Sequence, residues 1–182
     1  MDYAYIDENI RILNDIKATK GQCDDIVNML MDCFNNKHKV ILAGNGGSAT
    51  DAMHFATDLL AGFRRGRRFL PAISLTGNQT SLTALANDYG YDEVFTKQLE
   101  ALGYEGDVFI GLSTSGKSKN ILEGLRISKE KGLKTIIFTG KDVSLDADIV
   151  INIDSNMSAY IQNVYYILLH MICLEVERII CE

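Results

Sequence analysis

The amino-acid sequence predicts an α/β fold, a three-layer sandwich in which helices flank a five-stranded, mostly parallel sheet. Five short β-rich runs follow one another along the chain: VILAG, PAISL, VFIGLS, TIIFTG and IVINI. Segments with helical spacing separate most of these runs, and this alternation is typical of parallel strands joined by crossover helices. The runs are continuously apolar, which indicates a sheet covered on both faces.

The helices are predicted from the spacing of apolar residues. Two helices open the chain, at 3–18 and 23–36. The apolar positions of the first helix are Ile6, Ile10, Leu13 and Ile16. Further helical segments lie mostly between the strands, at 47–62, 79–87, 91–102 and 118–131. The last helix follows Met157 and is apolar around its whole circumference, so we expect it to pack against other helices or another subunit.

The length and composition fit a single domain. The 182 residues, 47% of them hydrophobic, can form one core. Pro71 is the only proline and no low-complexity tract is present, so nothing marks a linker. We expect one domain over 1–182, with a helical segment at 1–36 and an α/β core with its C-terminal helix at 37–182.

The charge and the absence of long apolar runs narrow the class of partner. A net charge of −6 argues against general affinity for nucleic acid or an anionic membrane. No apolar run approaches the ~18–20 residues of a membrane span, and the acidic start MDYAYIDENIR does not fit a signal peptide. We expect a cytoplasmic protein with a small partner. The basic run RRGRR then predicts a solvated loop, or one that reaches a neighbouring site's phosphate, through Arg64, Arg65, Arg67 and Arg68.

The cysteines give no sign of a disulfide framework or a metal site. The chain has four cysteines, and all lie in apolar helical stretches near its two ends: Cys23, Cys33, Cys173 and Cys181. None forms a C-x-x-C pair. Buried reduced thiols are therefore the prediction.

A glycine-rich turn, GNGGS, follows the first predicted strand and opens a helix. Its backbone N–H groups can point into one concavity, reinforced by the positive end of the helix dipole. The pattern G-N-G-G-S-A also matches the dinucleotide fingerprint G-x-G-x-x-A, which is a weak signal by itself. A Rossmann site needs an acid near the end of the second strand, and PAISLTGNQ has none there, which weakens that alternative.

A second turn, GLSTSGKS, follows the strand VFIGLS and carries four hydroxyls, on Ser113, Thr114, Ser115 and Ser118. These hydroxyls and the free amides of the next helix can cradle a phosphate. A set of helix-capping serines is the alternative, because Ser and Thr favour that position without any ligand. Two such turns at the same edge of a parallel sheet favour the ligand interpretation.

With these motifs in place, the chain resembles the sugar isomerase (SIS) domain proteins and, among them, the phosphoheptose isomerase family. The matching segments are AGNGGSATDAMHFATDL, LTALANDYGYDEVF, LEALGYEGDVFIGLSTSGKSKNIL, EKGLKTIIFTG and IQNVYYILLH. The resemblance implies the flavodoxin-like SIS fold and an intramolecular oxidoreductase. Its reaction would interconvert sedoheptulose 7-phosphate and D-glycero-D-manno-heptose 7-phosphate through an enediolate.

The resemblance also implies roles for individual residues. Substrate contacts are expected at Asn45, Gly46, Gly47, Ser48, Asp58, Asn87, Asp88, Gln162 and the four hydroxyl residues of the second turn. One Zn²⁺ per subunit would be held by His54, Asp58, Gln162 and His170, with Asp58 and His170 as the catalytic pair. The family forms tetramers that combine neighbouring subunits in each site. Spacing gives partial support, because His54 and Asp58 lie four residues apart on one helix face.

Three positions depart from the family pattern. Asp58 stands where active members have glutamate, and the family's arginine four residues later falls at Gly62. The family's aspartate three residues before the glutamine falls at Ala159. Two alternatives stay open: an isomerase of another phosphosugar, and a non-catalytic adaptor that binds a phosphosugar or a protein. A related branch lacks the acid and the last histidine and binds a replication initiator, whereas this chain keeps both Asp58 and His170.

Overall fold

A computed structural model describes residues 3–64 and 66–182, without the side chain of Ala18. Arg65, one of the predicted loop arginines, lies outside the described residues. The sheet has five strands in the order β2-β1-β3-β4-β5, and every pairing is parallel, so the expectation of a mostly parallel sheet is confirmed in a stricter form. The strands are β1 Val40–Gly44, β2 Ala72–Ser74, β3 Val108–Ser113, β4 Lys134–Thr139 and β5 Ile149–Asn152.

Seven α-helices surround the sheet in the described chain, close to the predicted positions. They are α1 Ala4–Asp15, α2 Lys20–Asn35, α3 Gly47–Ala61, α4 Gln79–Tyr89, α5 Val94–Leu102, α6 Lys119–Glu130 and α7 Ser158–Cys181. Two predicted helices are shorter than expected, because one turn of each is a 3₁₀ helix. These turns are Ile16–Thr19 after α1 and Tyr91–Glu93 before α5.

The core has two parts, one on each face of the sheet. The larger part joins β1, β3 and β4 to α2, α3 and α7, and the smaller part joins them to α5 and α6. Every residue of β1 and β3 is buried, as expected for central strands covered on both faces. Tyr165 of α7 is fully buried and donates a hydrogen bond of 2.7 Å to the backbone oxygen of Phe138 in β4, which anchors α7 on the sheet.

The two ligand turns are neighbours because β1 and β3 pair in parallel, with Gly44 opposite Leu112. The carboxyl ends of both strands therefore meet at one edge of the sheet. The glycines of the first turn are required by its geometry. A Cβ on Gly44 would lie 2.3 Å from the backbone oxygen of Ser48, and Gly46 has φ +55°. The chain thus turns from β1 into α3 with close backbone packing.

Several large apolar side chains lie on the surface of the single chain. Ile6 and Ile10 of α1 are 51% and 53% exposed, because α1 places Ile12 in the core and leaves these two outside it. On α7, the large exposed hydrophobic residues are Tyr166, Ile167, Met171 and Leu174, and Met157 just before the helix is also exposed.

Two further features of the structure are the state of the cysteines and the apolar character of the helices. All four cysteines are free; Cys33 and Cys173 are buried as predicted, and Cys23 is only partly buried. Cys181 is exposed because it ends α7, so the prediction of a buried thiol is wrong there. Burial raises the pKa of Cys33 to about 12, which makes this thiol unreactive. Within the described residues, no helix combines the length and apolar character needed to cross a membrane.

Candidate active site

Helix α7 presents a row of four polar or aromatic side chains at four-residue intervals: Ser158, Gln162, Tyr166 and His170. Such rows form the ridges by which helices pack, and α7 packs beside α3. The first three members contact Thr114, Gly47 and His54 respectively, through the hydroxyl of Ser158, the amide of Gln162 and the phenol of Tyr166. The row therefore runs from the two turns toward the middle of α3.

The predicted ligands His54, Asp58 and His170 are brought together between α3 and α7. One ligand atom of each residue lies within 4.8 Å of the others. The Nε2 atoms of His54 and His170 lie 3.4 and 3.7 Å from Oδ2 of Asp58. The cavity between them has a volume of about 10 Å³, which suits one ion or water and not a sugar.

The donor atoms of this triad fit a metal ion. Oδ2 of Asp58 and Nε2 of His170 are buried, and neither has a hydrogen-bond partner among the described residues. Burial of a polar atom without a partner costs free energy of folding. A cation bound between these two atoms would accept their lone pairs and remove that cost. Imidazole nitrogen and carboxylate oxygen are also a common donor set for Zn²⁺. The structure supports a site that could hold a metal through these three residues.

Burial raises the pKa values of two carboxyls of α3 near this triad. Burial raises the pKa of Asp58, and the neighbouring His54 and His170 oppose that rise. Two turns before Asp58, burial raises the pKa of Asp51 to about 6, with His54 opposing it. Asp51 lines the same small cavity and was not singled out in the sequence. A carboxyl with a raised pKa is a stronger base than an ordinary one.

Aromatic rings pack against the two histidines, and only one of these contacts had a signal in the sequence. Tyr166 places its hydroxyl 2.6 Å from Nδ1 of His54 and its ring centroid 4.4 Å from that of His170. Phe63 also packs against His170, with a centroid separation of 4.8 Å. The four-residue spacing from Tyr166 to His170 was the available signal. Phe63 could not be found that way because it follows the end of α3.

A buried ion pair closes the end of α3 beneath the triad. The side chain of Arg67 is 2% exposed, and its Nη2 donates to the backbone oxygens of Asp58 and Leu59 at 2.9 and 2.8 Å. Its Nε lies 3.6 Å from Oε1 of Glu177 on α7, and Glu177 also accepts hydrogen bonds from the backbone of Phe63 and Arg64. The expectation of a solvated loop is therefore wrong for Arg67, because α3 and Glu177 draw it into the interior.

Gly62 explains one departure from the family pattern. It follows the last residue of α3 with φ +98°, and its N–H donates to the backbone oxygen of Asp58 at 3.2 Å. This left-handed conformation favours glycine strongly over residues with a side chain. The helix ends here, so an arginine at this position would strain the backbone.

The first turn is held by side chains that reach it from two other segments. Asn45 and Asn120, at the start of α6, exchange two hydrogen bonds of 2.9 Å between their amides. The hydroxyl of Tyr91 donates a third bond of 2.9 Å to Oδ1 of Asn45. Gly46 and Gly47 follow directly, and Ser48 is buried in the first turn of α3. Asn120 and Tyr91 were missed because their contacts with Asn45 are distant in sequence.

The second turn keeps its hydroxyls close together. Ser113 donates to Oγ of Ser118 at 3.1 Å, Thr114 lies 3.0 Å from Oγ of Ser158, and Ser115 accepts from the backbone of Lys117. Ser118 occupies the N-cap position of α6 without a side-chain capping bond. The capping alternative therefore does not account for its hydroxyl, while its backbone oxygen accepts hydrogen bonds from the N–H groups of Ile121 and Leu122.

Three predicted contacts are not joined to the triad. Asn87 and Asp88 lie near the end of α4, exposed, and the bond that the structure gives them joins the two side chains to each other at 2.8 Å. Gln162 lies against the first turn, where a Cβ on Gly47 would be 2.0 Å from its Nε2. It is not among the residues that line the triad cavity. Its role as the fourth metal ligand stays a prediction.

Comparison with known proteins identifies the class of protein. Residues 4–140 match the family model described as the SIS domain, and the chain belongs to this SIS domain family. Within it, the chain is 41% identical over 155 residues to the phosphoheptose isomerase of Helicobacter pylori, which covers 84% of this chain and 81% of that protein.

Two solved structures extend the similarity to nearly the whole chain. The phosphoheptose isomerase of Neisseria gonorrhoeae is 34% identical, with a TM-score of 0.89 over 96% of both chains. A phosphoheptose isomerase from Francisella tularensis is 31% identical, with a TM-score of 0.91 over 96% of this chain and 95% of that one. The resemblance drawn from the sequence motifs is confirmed, and so is the SIS fold.

Proposed function

We propose that this chain is a phosphoheptose isomerase, which interconverts sedoheptulose 7-phosphate and D-glycero-D-manno-heptose 7-phosphate through an enediolate. The observation that carries the proposal is the convergence of His54, Asp58 and His170 between α3 and α7. This triad occurs in a chain whose fold and sequence match solved phosphoheptose isomerases over almost its full length.

His54, Asp58 and His170 would hold the metal ion, and Gln162 is the proposed fourth ligand. The family's ion is Zn²⁺, one per subunit. When bound, it supplies a Lewis acid that polarises the substrate carbonyl and lowers the cost of charge on the enediolate oxygen. The unpartnered Oδ2 of Asp58 and Nε2 of His170 support this assignment.

The proton transfers are assigned to Asp58 and His170. Asp58 takes a proton from the carbon beside the carbonyl, and burial, which raises its pKa, strengthens it as a base. His170 serves the sugar oxygens as acid and base while the double bond lies between C1 and C2. The proton then returns to the neighbouring carbon, so the carbonyl moves by one carbon without net gain or loss of electrons.

The two turns are proposed to fix the substrate. Ser113, Thr114, Ser115 and Ser118, with the N-terminus of α6, bind the phosphate through hydroxyl and amide donors. Sugar hydroxyls would contact the first turn and polar side chains around it: Asn45, Gly46, Gly47, Ser48, Asn87, Asp88 and Gln162. Holding the phosphate determines which carbon faces the base, and proton transfer depends on that alignment.

A second copy of this chain is proposed to complete each site. The cavity at the triad is far too small for a heptose phosphate, and α1 and α7 expose apolar side chains that no described element covers. Exposed apolar surface of this kind is typical of subunit interfaces. The expected assembly is a homotetramer in which neighbouring subunits share the sites.

The test is an assay of the purified chain, loaded with zinc, on sedoheptulose 7-phosphate, with the aldose product followed directly. Loss of the base in Asp58→Asn should lower kcat by roughly 10²–10⁴-fold. Asp146→Asn is the matched control, because Asp146 is 93% exposed and pairs only with surface Lys129 in the described chain. A wild-type chain that binds this sugar phosphate without turning it over would instead support a non-catalytic phosphosugar-binding protein.

An isomerase of another phosphosugar is the second candidate. It is favoured by the end of α3 at Gly62, which removes the family's arginine, and by Ala159, exposed in the first turn of α7, where the family has aspartate. Both changes remove a charged group near the substrate. A panel of ketose and aldose phosphates of five to seven carbons distinguishes the two candidates by their kcat/KM values.

A further inference from the structure

We propose that Tyr166 is the positioning residue that orients both histidines of the triad, so that their Nε2 atoms face Asp58. The inference concerns the metal-binding side chains, and its link to catalysis rests on the proposed function. Tyr166 lies on α7 one turn before His170 and across the helix interface from His54.

The first contact is a hydrogen bond. The phenol oxygen of Tyr166 is 2.6 Å from Nδ1 of His54 and 3.5 Å from Nε2, so Nδ1 is the bonded nitrogen. The other nitrogen, Nε2, is the one turned toward Asp58. For Nε2 to accept a cation, its lone pair must face Asp58, which puts the ring proton on Nδ1 as a donor to Tyr166. Oδ2 of Asp58 accepts no hydrogen bond from Nε2, in agreement with this assignment.

The second contact is ring packing. The ring of Tyr166 meets His170 edge to face, with centroids 4.4 Å apart and an interplanar angle of 69°. Phe63 packs on the same imidazole, with centroids 4.8 Å apart and an interplanar angle of 31°. His170 therefore contacts two aromatic rings, and its Nε2 lies 3.7 Å from Oδ2 of Asp58.

One residue therefore acts on two ligands by two different means, and substitutions can separate them. Tyr166→Phe removes the hydrogen bond to His54 and keeps the ring beside His170. Tyr166→Leu removes both contacts. Tyr160→Phe is the matched control, because it removes a phenol from the same helix where the ring stacks on Tyr5 instead of the triad. Tyr166 is 37% exposed, so the folded state should tolerate these changes.

The first measurement needs neither metal nor activity. Long-range ¹H–¹⁵N spectra of the metal-free chain at alkaline pH report which imidazole nitrogen carries the proton, and the chain has three histidines to assign. His54 should be protonated at Nδ1 in the wild type and in Tyr160→Phe, and should become a mixture of tautomers in Tyr166→Phe. A wild-type His54 protonated at Nε2, or one unchanged by Tyr166→Phe, overturns the inference.

The second measurement is zinc affinity, by competition with a chromophoric chelator. Tyr166→Phe should weaken binding by about 10–100-fold, as is usual when a group that orients a metal ligand is lost. Tyr166→Leu should weaken it further, and Tyr160→Phe should leave it unchanged. Equal affinity in Tyr166→Phe and wild type overturns the inference. The expected tautomer change without any zinc uptake by the wild type sustains the role of Tyr166 and overturns the metal centre of the proposed function.

Discussion

The two turns at the sheet edge and the triad between α3 and α7 differ in the hydrogen bonding of their polar groups. In the turns, side chains satisfy one another: Asn45 is bonded to Asn120 and Tyr91, and Ser113 to Ser118. In the triad, two buried polar atoms have no hydrogen-bond partner in the described chain. A region whose polar groups are hydrogen-bonded to one another can keep its shape without ligand. The triad, by contrast, has buried polar atoms that a bound cation would satisfy, and the positions of its side chains depend on the packing around them.

The largest expected effect comes from breaking the ion pair beneath the triad. Glu177→Ala leaves Arg67 buried without its carboxylate and removes the acceptor of two backbone N–H groups. Removal of one partner from a buried pair costs about 3–5 kcal/mol, so the free energy of unfolding should fall by that amount. Urea titration measures it. Glu175→Ala, two residues earlier on α7 in a surface pair with Arg178, is the control and should change stability by less than about 1 kcal/mol.

The second-largest effect is the stabilisation expected when a metal ion binds the unpartnered atoms of the triad. Zinc at 100 times its dissociation constant should stabilise the fold by about 2.7 kcal/mol, or roughly 5–10 °C in Tm. Scanning calorimetry with and without a chelator measures the shift. His54→Gln should abolish it, and His38→Gln, at the start of β1 away from the triad, should keep it. An equal shift in both variants would place the bound ion elsewhere.

A smaller loss of stability is expected in the turns, whose polar side chains are hydrogen-bonded to one another. Asn120→Ala removes two of the hydrogen bonds of Asn45 and opens a gap in a partly buried amide pair, which should cost about 1–3 kcal/mol. Because this pair holds the first turn, KM should rise more than kcat falls. Denaturant titration and initial rates measure the two effects. Asn14→Ala, on the exposed face of α1, should alter neither.

The smallest effect is a pH dependence. The pKa of Asp51 is raised by burial to about 6, so the folded state holds its proton more tightly than the unfolded state. Stability from this group is complete below pH ~4 and is lost as the pH rises toward 6. In the metal-free chain, Asp51→Asn should flatten the fall in Tm over that interval. Exposed Asp24→Asn should leave the wild-type slope, and an unchanged slope in both would refute the assignment.

Sequence reasoning reached the fold from local patterns, because strand and helix signals depend on neighbours in the chain. Spacing placed only His54 and Asp58 on one face of α3, and His170 on α7 was expected from the family resemblance. What it missed depends on contacts between distant segments. The burial of Arg67 requires α7 to bring Glu177 to the end of α3, and the exposure of Ile6 requires knowing which face of α1 packs against α7. Periodicity indicates that a face is apolar, but not what covers it.

The row of side chains at four-residue intervals along α7 contacts both turns and α3. These contacts depend on the number of residues between the members of the row. Successive members lie about 6 Å apart along the axis, and one residue corresponds to about 100° of rotation. An insertion or deletion of one residue within α7 would swing His170 away from Asp58 while Ser158 still met Thr114. Changes of length should therefore be tolerated in the loop that precedes Ser158 and beyond Glu177, whereas between them the residue count itself is under constraint.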